Sequence, residues 1–204
     1  MLNIGFDIGS TTAKAIVTND SGVIIYSRYQ RHKARILEHI LEILQDIQLQ
    51  FPNDSDISIC FTGSAGMGVA EQHALPFVQE VIASSTVIHK QYPHTKTLID
   101  IGGEDAKIIF FEKNKAPDIR MNGSCAGGTG AFIDQIASLL NVDTSELDAL
   151  AKQHTTIYPI ASRCGVFAKT DVQNLISRKV PLADIAASVF HAVSLQVVNS
   201  LARG

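Results

Sequence analysis

Hydrophobic and polar positions alternate along residues 2–7, 13–19 and 23–30, a period of two that predicts three β-strands joined by tight turns. The second turn, Asn19-Asp20-Ser21-Gly22, is built from residues that favour hairpin reversals. Over 33–50 the period lengthens. Ile36, Leu37, Ile40, Leu41, Leu44 and Ile47 recur at helical spacing and are expected to form one apolar face, with Pro52 ending the helix. A short buried strand over 57–61 follows, then a turn at Thr62-Gly63-Ser64-Ala65-Gly66, then two helices over 67–74 and 80–91.

The opening pattern then returns. Thr97-Leu98-Ile99-Asp100-Ile101-Gly102-Gly103 echoes Ile4-Gly5-Phe6-Asp7-Ile8-Gly9-Ser10, and each is followed by a second strand, over 13–18 and 106–111. A third strand is expected over 117–121, and helices over 128–140, 143–152, 165–178 and 181–202. The last helix begins at Pro181, a favoured first-turn position, and carries an apolar stripe of Leu182, Ile185, Ala186, Val189, Val193 and Val197. This internal repeat of strand, Asp-x-Gly turn and strand predicts an α/β chain of two lobes, 1–94 and 95–204, meeting near Tyr92-Pro93-His94. The second lobe reaches its helices with no closing strand. It is therefore expected to be truncated at its C-terminus, as in a piece cut from a longer protein.

Composition narrows the function classes. Hydrophobic residues make up 46% and charged residues 18% of the 204, an ordinary globular balance. A formal net charge of -3 without any Lys/Arg block argues against a nucleic-acid partner. No apolar run reaches the roughly 20 residues of a membrane span, and the chain opens on a strand rather than on a secretory signal, so a cytoplasmic protein is expected. Three cysteines, an odd and sparse number, argue against a disulfide framework. Cys60, inside the apolar run Ile57-Ser58-Ile59-Cys60-Phe61, is expected to pack in the core. His32, within Arg31-His32-Lys33, reads as part of a solvated basic helix start, and no two histidines have zinc-site spacing.

Four motifs carry candidate chemistry. In Asp7-Ile8-Gly9-Ser10-Thr11-Thr12-Ala13-Lys14 a strand delivers an Asp to a Gly turn followed by hydroxyls and a Lys. Backbone N–H groups at such a turn can cradle phosphate oxygens, and Asp7 can hold Mg²⁺ through water. The spacing is not that of a Walker P-loop. Asp100-Ile101-Gly102-Gly103-Glu104-Asp105-Ala106-Lys107 repeats the design. Two such turns suggest a cleft that grips a polyphosphate; the plainer reading is two unrelated hairpins with polar turns. In Asn122-Gly123-Ser124-Cys125-Ala126-Gly127-Gly128-Thr129-Gly130 a cysteine precedes a helix, where the dipole favours thiolate, and Gly127 and Gly128 permit close backbone approach to a ligand. Ser162-Arg163-Cys164-Gly165-Val166-Phe167-Ala168-Lys169-Thr170-Asp171 places a second cysteine before a second helix. Two thiolates cannot complete a four-ligand cluster, whereas a twofold dimer supplies four. The alternative is two partly buried free thiols.

On these residues the chain resembles the activators of 2-hydroxyacyl-CoA dehydratases. These are relatives of the ATPase subunits of benzoyl-CoA reductase within the actin, Hsp70 and sugar-kinase superfamily. The two Asp-x-Gly turns are similar to that superfamily's phosphate motifs, and the two cysteine motifs to the activators' own. The resemblance implies an actin-like (ribonuclease H-like) ATPase fold. It implies ATP/ADP and Mg²⁺ as ligands, with Gly9, Ser10, Thr11, Thr12 and Lys14 at the first phosphate site and Gly102, Gly103, Glu104 and Asp105 at the second. Asp7 and Asp100 would manage Mg²⁺ and the attacking water. Cys125 and Cys164 would be one subunit's share of a [4Fe–4S] cluster at a homodimer axis. The implied partners are an acyl-CoA dehydratase or related reductase component, with reduced ferredoxin or flavodoxin as electron donor. Within the resemblance, the adenosine motif on the strand after the last helix is missing. A phosphotransferase of the same superfamily, a nucleotide-dependent interaction module without a cluster, and an activator of corrinoid proteins are the rival expectations.

Overall fold

The computed structural model describes residues 1–54, 56–112, 115–122 and 128–202. The chain divides into two compact units, Met1–Thr95 and Lys96–Gly204.

In the first unit, β1 (Leu2–Ile8), β2 (Thr12–Thr18) and β3 (Ile24–Arg31) form an antiparallel meander. Helix α1 (Ile36–Gln50) then crosses over to β4 (Ile57–Thr62), which pairs parallel to β1 and gives the sheet order β3-β2-β1-β4. The period of two decides which side chain serves which purpose. Leu2, Ile4, Phe6 and Ile8 of β1 point to one face, where they meet Ala13, Ala15 and Val17 of β2 and Ile40, Ile43 and Ile47 of α1 in the unit's core. Burying a side chain such as Ile43 is worth about 1.5–3 kcal/mol. Phe6 and Phe61 stack with centroids 5.0 Å apart. The alternate positions Gly5 and Asp7 are thereby turned to the opposite face.

The α1 face differs from the expected one. Leu37 and Leu41 are exposed, and Ile43 takes their place in the core. The helix also begins at Ile36 rather than 33, because Lys33 and Ala34 hold φ of 48° and 62°, which no right-handed helix admits. Cys60 is corrected as well. It lies half-buried on the face opposite the core, lining an apolar groove of about 510 Å³ with Ile16, Val78 and Ala83. Helices α2 (Gly66–Gln72) and α3 (Glu80–Gln91) complete the unit.

In the second unit, β5 (Thr97–Ile101), β6 (Ala106–Phe110) and β7 (Asp118–Met121) form an antiparallel sheet with β6 in the middle. Helices α4 (Gly130–Leu140), α5 (Leu147–Ala151, after a 3-10 turn at Thr144–Glu146), α6 (Gly165–Ser177) and α7 (Leu182–Leu201) follow. Asn141 ends α4 in the left-handed conformation, a common C-terminal device. The main core gathers Phe132, Ile136, Leu147, Val172, Ile185 and Val189 from these four helices. Val197 and Leu201 of α7 pack separately on Ala106 and Ile108 of β6. By length and composition α7 alone, among the described residues, could cross a membrane, contrary to the expectation that no segment reaches that length. Most of its apolar stripe is buried in the unit's cores, Leu182 being the exposed exception, and it carries the buried Asp184.

Candidate functional site

The first turn is a closed hairpin end. Gly9 N–H donates to the Thr12 carbonyl at 2.9 Å, and Asp7 and Lys14 face each other across β1 and β2 in register. Lys14 Nζ lies 2.7 Å from Asp7 Oδ2, with both side chains partly open to solvent. Ser10 is exposed at the tip and Thr12 is buried. The end of β4 completes the surroundings. Ala65 N–H donates to the Ile8 carbonyl, and Gly63 sits at φ 88° so close to Asp7 that a Cβ there would lie 2.5 Å from Asp7 Oδ1 and 2.4 Å from the Ile8 oxygen.

Behind this turn stands His32, and the expected solvated helix start is wrong for it. The side chain is 2% exposed. Its Nε2 lies 3.0 Å from the Gly9 carbonyl, its Nδ1 accepts from Ala34 N–H at 3.1 Å, and its own N–H donates to the Thr11 carbonyl. The left-handed backbone at Lys33 and Ala34 is what folds the chain back over the ring.

The second turn repeats the first in register. Gly102 N–H donates to the Asp105 carbonyl at 2.9 Å, and Asp100 faces Lys107 across β5 and β6. Here Lys107 is enclosed, because β6 is the central strand. Its Nζ lies 3.1 Å from Asp105 Oδ2 and 3.9 Å from Asp100 Oδ2. The start of α4 backs the turn, with Gly130 N–H donating to the Gly102 carbonyl and Ala131 N–H to that of Gly103, each at 2.8 Å. A Cβ on Gly130 would meet the Gly102 oxygen at 3.1 Å. Glu104 is exposed at the tip, and Asn122 Oδ1 fixes Ala106 N–H at the start of β6.

Cys164 is the N-cap residue of α6, a free, half-buried thiol, and its carbonyl accepts from Ala168 N–H. The first turn of that helix exposes two large apolar side chains, Val166 at 72% and Phe167 at 66%. Cys125 and Gly127 lie outside the described residues; Gly128, just before α4, is buried against Gln196. Among the described residues no group of three or more His, Cys, Asp or Glu side chains is placed to hold a metal ion.

A profile of the BadF/BadG/BcrA/BcrD ATPase family matches residues 4–204. The chain belongs to that family. Among curated proteins of known name, it is 29% identical over 204 residues to the (R)-2-hydroxyglutaryl-CoA dehydratase activating ATPase of Acidaminococcus fermentans, covering 96% of this chain and 75% of the relative. It is 28% identical over 210 residues to the 2-hydroxyisocaproyl-CoA dehydratase activator of Clostridioides difficile, covering 100% and 76%. Among solved structures, the activator of the 2-hydroxyisocaproyl-CoA dehydratase from Clostridium difficile with bound ADPNP superposes with a TM-score of 0.85 at 28% identity, over 98% of this chain and 74% of that one. The mixed α/β architecture is that of an actin-like ATPase.

Several further positions of this BadF/BadG/BcrA/BcrD family chain support the two turns and the approach to Cys164. Lys107 follows Asp100 at the spacing by which Lys14 follows Asp7, a local signal for the same part in the second turn. Gly63 has the local signal of a turn residue alone; the parallel pairing of β4 with β1 brings it to Asp7. Asp184 and Ser188 of α7 had no local signal. The Asp184 carboxylate accepts from Thr155 N–H at 2.7 Å and Thr156 N–H at 3.1 Å, while Ser188 Oγ accepts from Tyr158 N–H. Asp171 of α6 accepts from Ala161 N–H. These three side chains pin the strap 155–161 that leads to Cys164. The Thr155 N–H, first among these donors, holds the Asp184 carboxyl below its ordinary range despite burial, which acts the other way.

Proposed function

We propose that this chain is an ATP-dependent activator of an acyl-CoA dehydratase, feeding it a low-potential electron from a [4Fe–4S] cluster held by two copies of the chain. The observation that carries this reading is the likeness, over nearly the whole chain, to proteins whose names describe dehydratase activation. The residues fit the group. Cys164 is a free thiol at the positive end of a 13-residue helix, the setting of a thiolate ligand. One copy offers too few ligands among its described residues, so the set is completed by Cys125 and by a twofold partner. Val166 and Phe167 give that partner an apolar surface beside Cys164. A bound cluster supplies a one-electron carrier whose potential follows its exposure and hydrogen bonding.

The chain's own residues do the rest. Backbone amides at Ser10 and at Gly103 and Glu104 take phosphate oxygens. Lys14 and Lys107 offset negative charge next to Asp7 and Asp100. Asp7 holds Mg²⁺ through water, and Asp100 orients the water that attacks the terminal phosphate. Reduced ferredoxin or flavodoxin is the donor in this reading.

The test is anaerobic iron and sulfide analysis, a visible spectrum, sizing and ATP turnover on the same protein. About four irons per dimer are expected, lost in Cys125→Ala and Cys164→Ala while the fold remains. ATP turnover by a folded dimer that takes up no iron on anaerobic reconstitution would replace the activator reading with a phosphotransferase or a nucleotide-dependent interaction module.

A further inference from the structure

We infer that His32 is a positioning residue for phosphate binding: its buried imidazole, clamped on the Gly9 carbonyl, turns the Ser10 amide outward to receive an anionic oxygen. The inference rests on the proposed reading of the Gly9–Thr12 turn as a phosphate site.

The proton's place on the ring follows from the partners. Ala34 N–H donates to Nδ1, so Nδ1 presents its lone pair and Nε2 carries the hydrogen. Nε2–H therefore donates to the Gly9 carbonyl. A trans peptide group is planar, with C=O and N–H pointing in opposite directions. Holding the Gly9 carbonyl toward His32 thus points the Ser10 N–H away from it. Ser10 itself is exposed at the tip of the turn. The His32 backbone acts on the same turn, its N–H taking the Thr11 carbonyl.

Two further features say that the clamp is specific. Lys33 and Ala34, both with side chains, occupy the left-handed region at φ 48° and 62°, a conformation that persists only where surrounding contacts enforce it. It is this backbone that carries Ala34 N–H back to Nδ1 and sets the ring's orientation. The second unit solves the same problem by other means. There the Gly102 and Gly103 carbonyls are taken from behind by the Gly130 and Ala131 amides, which by the same planarity turns the Gly103 and Glu104 amides outward. His32 does for the first turn what the start of α4 does for the second.

Side-chain amides separate the two halves of the clamp. Gln places its Nε2 donor near the position of His Nε2 and keeps the Gly9 bond. Asn places its Oδ1 acceptor near His Nδ1, keeping the Ala34 bond and losing the one to Gly9. The experiment measures Kd for ATP and for adenosine, by calorimetry, on the full chain and on His32→Asn and His32→Gln, with near-ultraviolet dichroism as the check on fold. The expected result is a loss of about 10-fold in ATP affinity for His32→Asn, with adenosine affinity unchanged, and recovery of ATP affinity to within about twofold in His32→Gln. ATP affinity unchanged in a folded His32→Asn protein, or equal losses for ATP and adenosine, would overturn the inference. So would a folded His32→Gln protein whose ATP affinity falls about 10-fold below that of the unaltered protein, a comparison that holds even if His32→Asn does not fold. If the unaltered protein binds no ATP, the phosphate reading itself falls, and the role of His32 with it.

Discussion

In the first unit the glycine carbonyl of the turn after Asp7, that of Gly9, is held by a side chain, the His32 ring; in the second, the Gly102 and Gly103 carbonyls of the turn after Asp100 are held by main chain, the Gly130 and Ala131 amides. The cross-strand pair is the same in both, Asp facing Lys over a hairpin end. Its surroundings are not. Lys14 is 41% exposed and lies 2.7 Å from Asp7 and over the Tyr29 ring, whereas Lys107 is 8% exposed and lies 3.1 Å from Asp105 and 3.9 Å from Asp100. One strand pattern can therefore be supported by unrelated scaffolding, provided the turn carbonyls are satisfied from behind. The repeat resides in the register and the backing is local invention.

The sharpest way to break this comparison is at the glycines. Gly63→Ala places a methyl inside contact distance of Asp7 and Ile8 at a left-handed φ, and is expected to cost roughly 2–4 kcal/mol, read as a lower urea midpoint for the first unit. Gly130→Ala, with one contact at 3.1 Å, needs a shift of only tenths of an ångström and should cost under about 1 kcal/mol. Comparable losses would mean that the two turns are equally tight after all.

Function separates the carboxylates next. Asp100→Asn is expected to slow ATP hydrolysis about 100-fold, near 2.7 kcal/mol of barrier, with ATP affinity changed far less. Equal losses in turnover and affinity would give Asp100 a structural role instead.

The lysines give a smaller contrast. Lys107→Met leaves Asp100 and Asp105 facing each other without their cation, and should cost about 1–3 kcal/mol, less than the loss from a fully enclosed pair because both carboxylates remain more than a third exposed. Lys14→Met, at a half-open pair, should stay within about 1 kcal/mol. Chemical denaturation of the two variants side by side tests the ordering.

The smallest effects distinguish the units by pH. Asp184 lies below its ordinary 3.8 in the folded chain, chiefly through the Thr155 N–H. Its contribution is full above about pH 4 and is lost as pH falls through the folded value. Tyr26 lies above its ordinary 10.0, chiefly through burial and next through its hydrogen bond to Asp46. Its contribution is full below about pH 10 and is lost as pH rises through the raised value. Hydrogen exchange should therefore show acid loosening 155–161 first and alkali loosening β3 first. Simultaneous loss at either extreme would refute that division.

The strands and most helices were legible, because alternation and helical spacing are local. The two Asp-x-Gly turns were legible for the same reason, since a hairpin brings its own partners together. What escaped notice depends on distant contacts or on backbone torsions. His32 sits between two charged residues and looks solvated until the left-handed pair after it folds the chain over the ring. The misassigned α1 face, with Ile43 inside and Leu41 out, shows the limit of spacing alone: neighbouring apolar positions on a helix compete, and the sheet decides. Asp184 meets Thr155 across 29 residues, a separation that no window of sequence spans.

The register of the two hairpins also governs how these genes can change. Side chains on a strand alternate faces, so adding or removing one residue between Asp7 and Lys14, or between Asp100 and Lys107, would send the lysine to the wrong side of its sheet. Point substitutions at the tips, such as Ser10 or Glu104, leave that parity intact. Among relatives, these two intervals are expected to drift in spelling while keeping their length, a signature that an alignment scored on gaps would detect even where identity has faded.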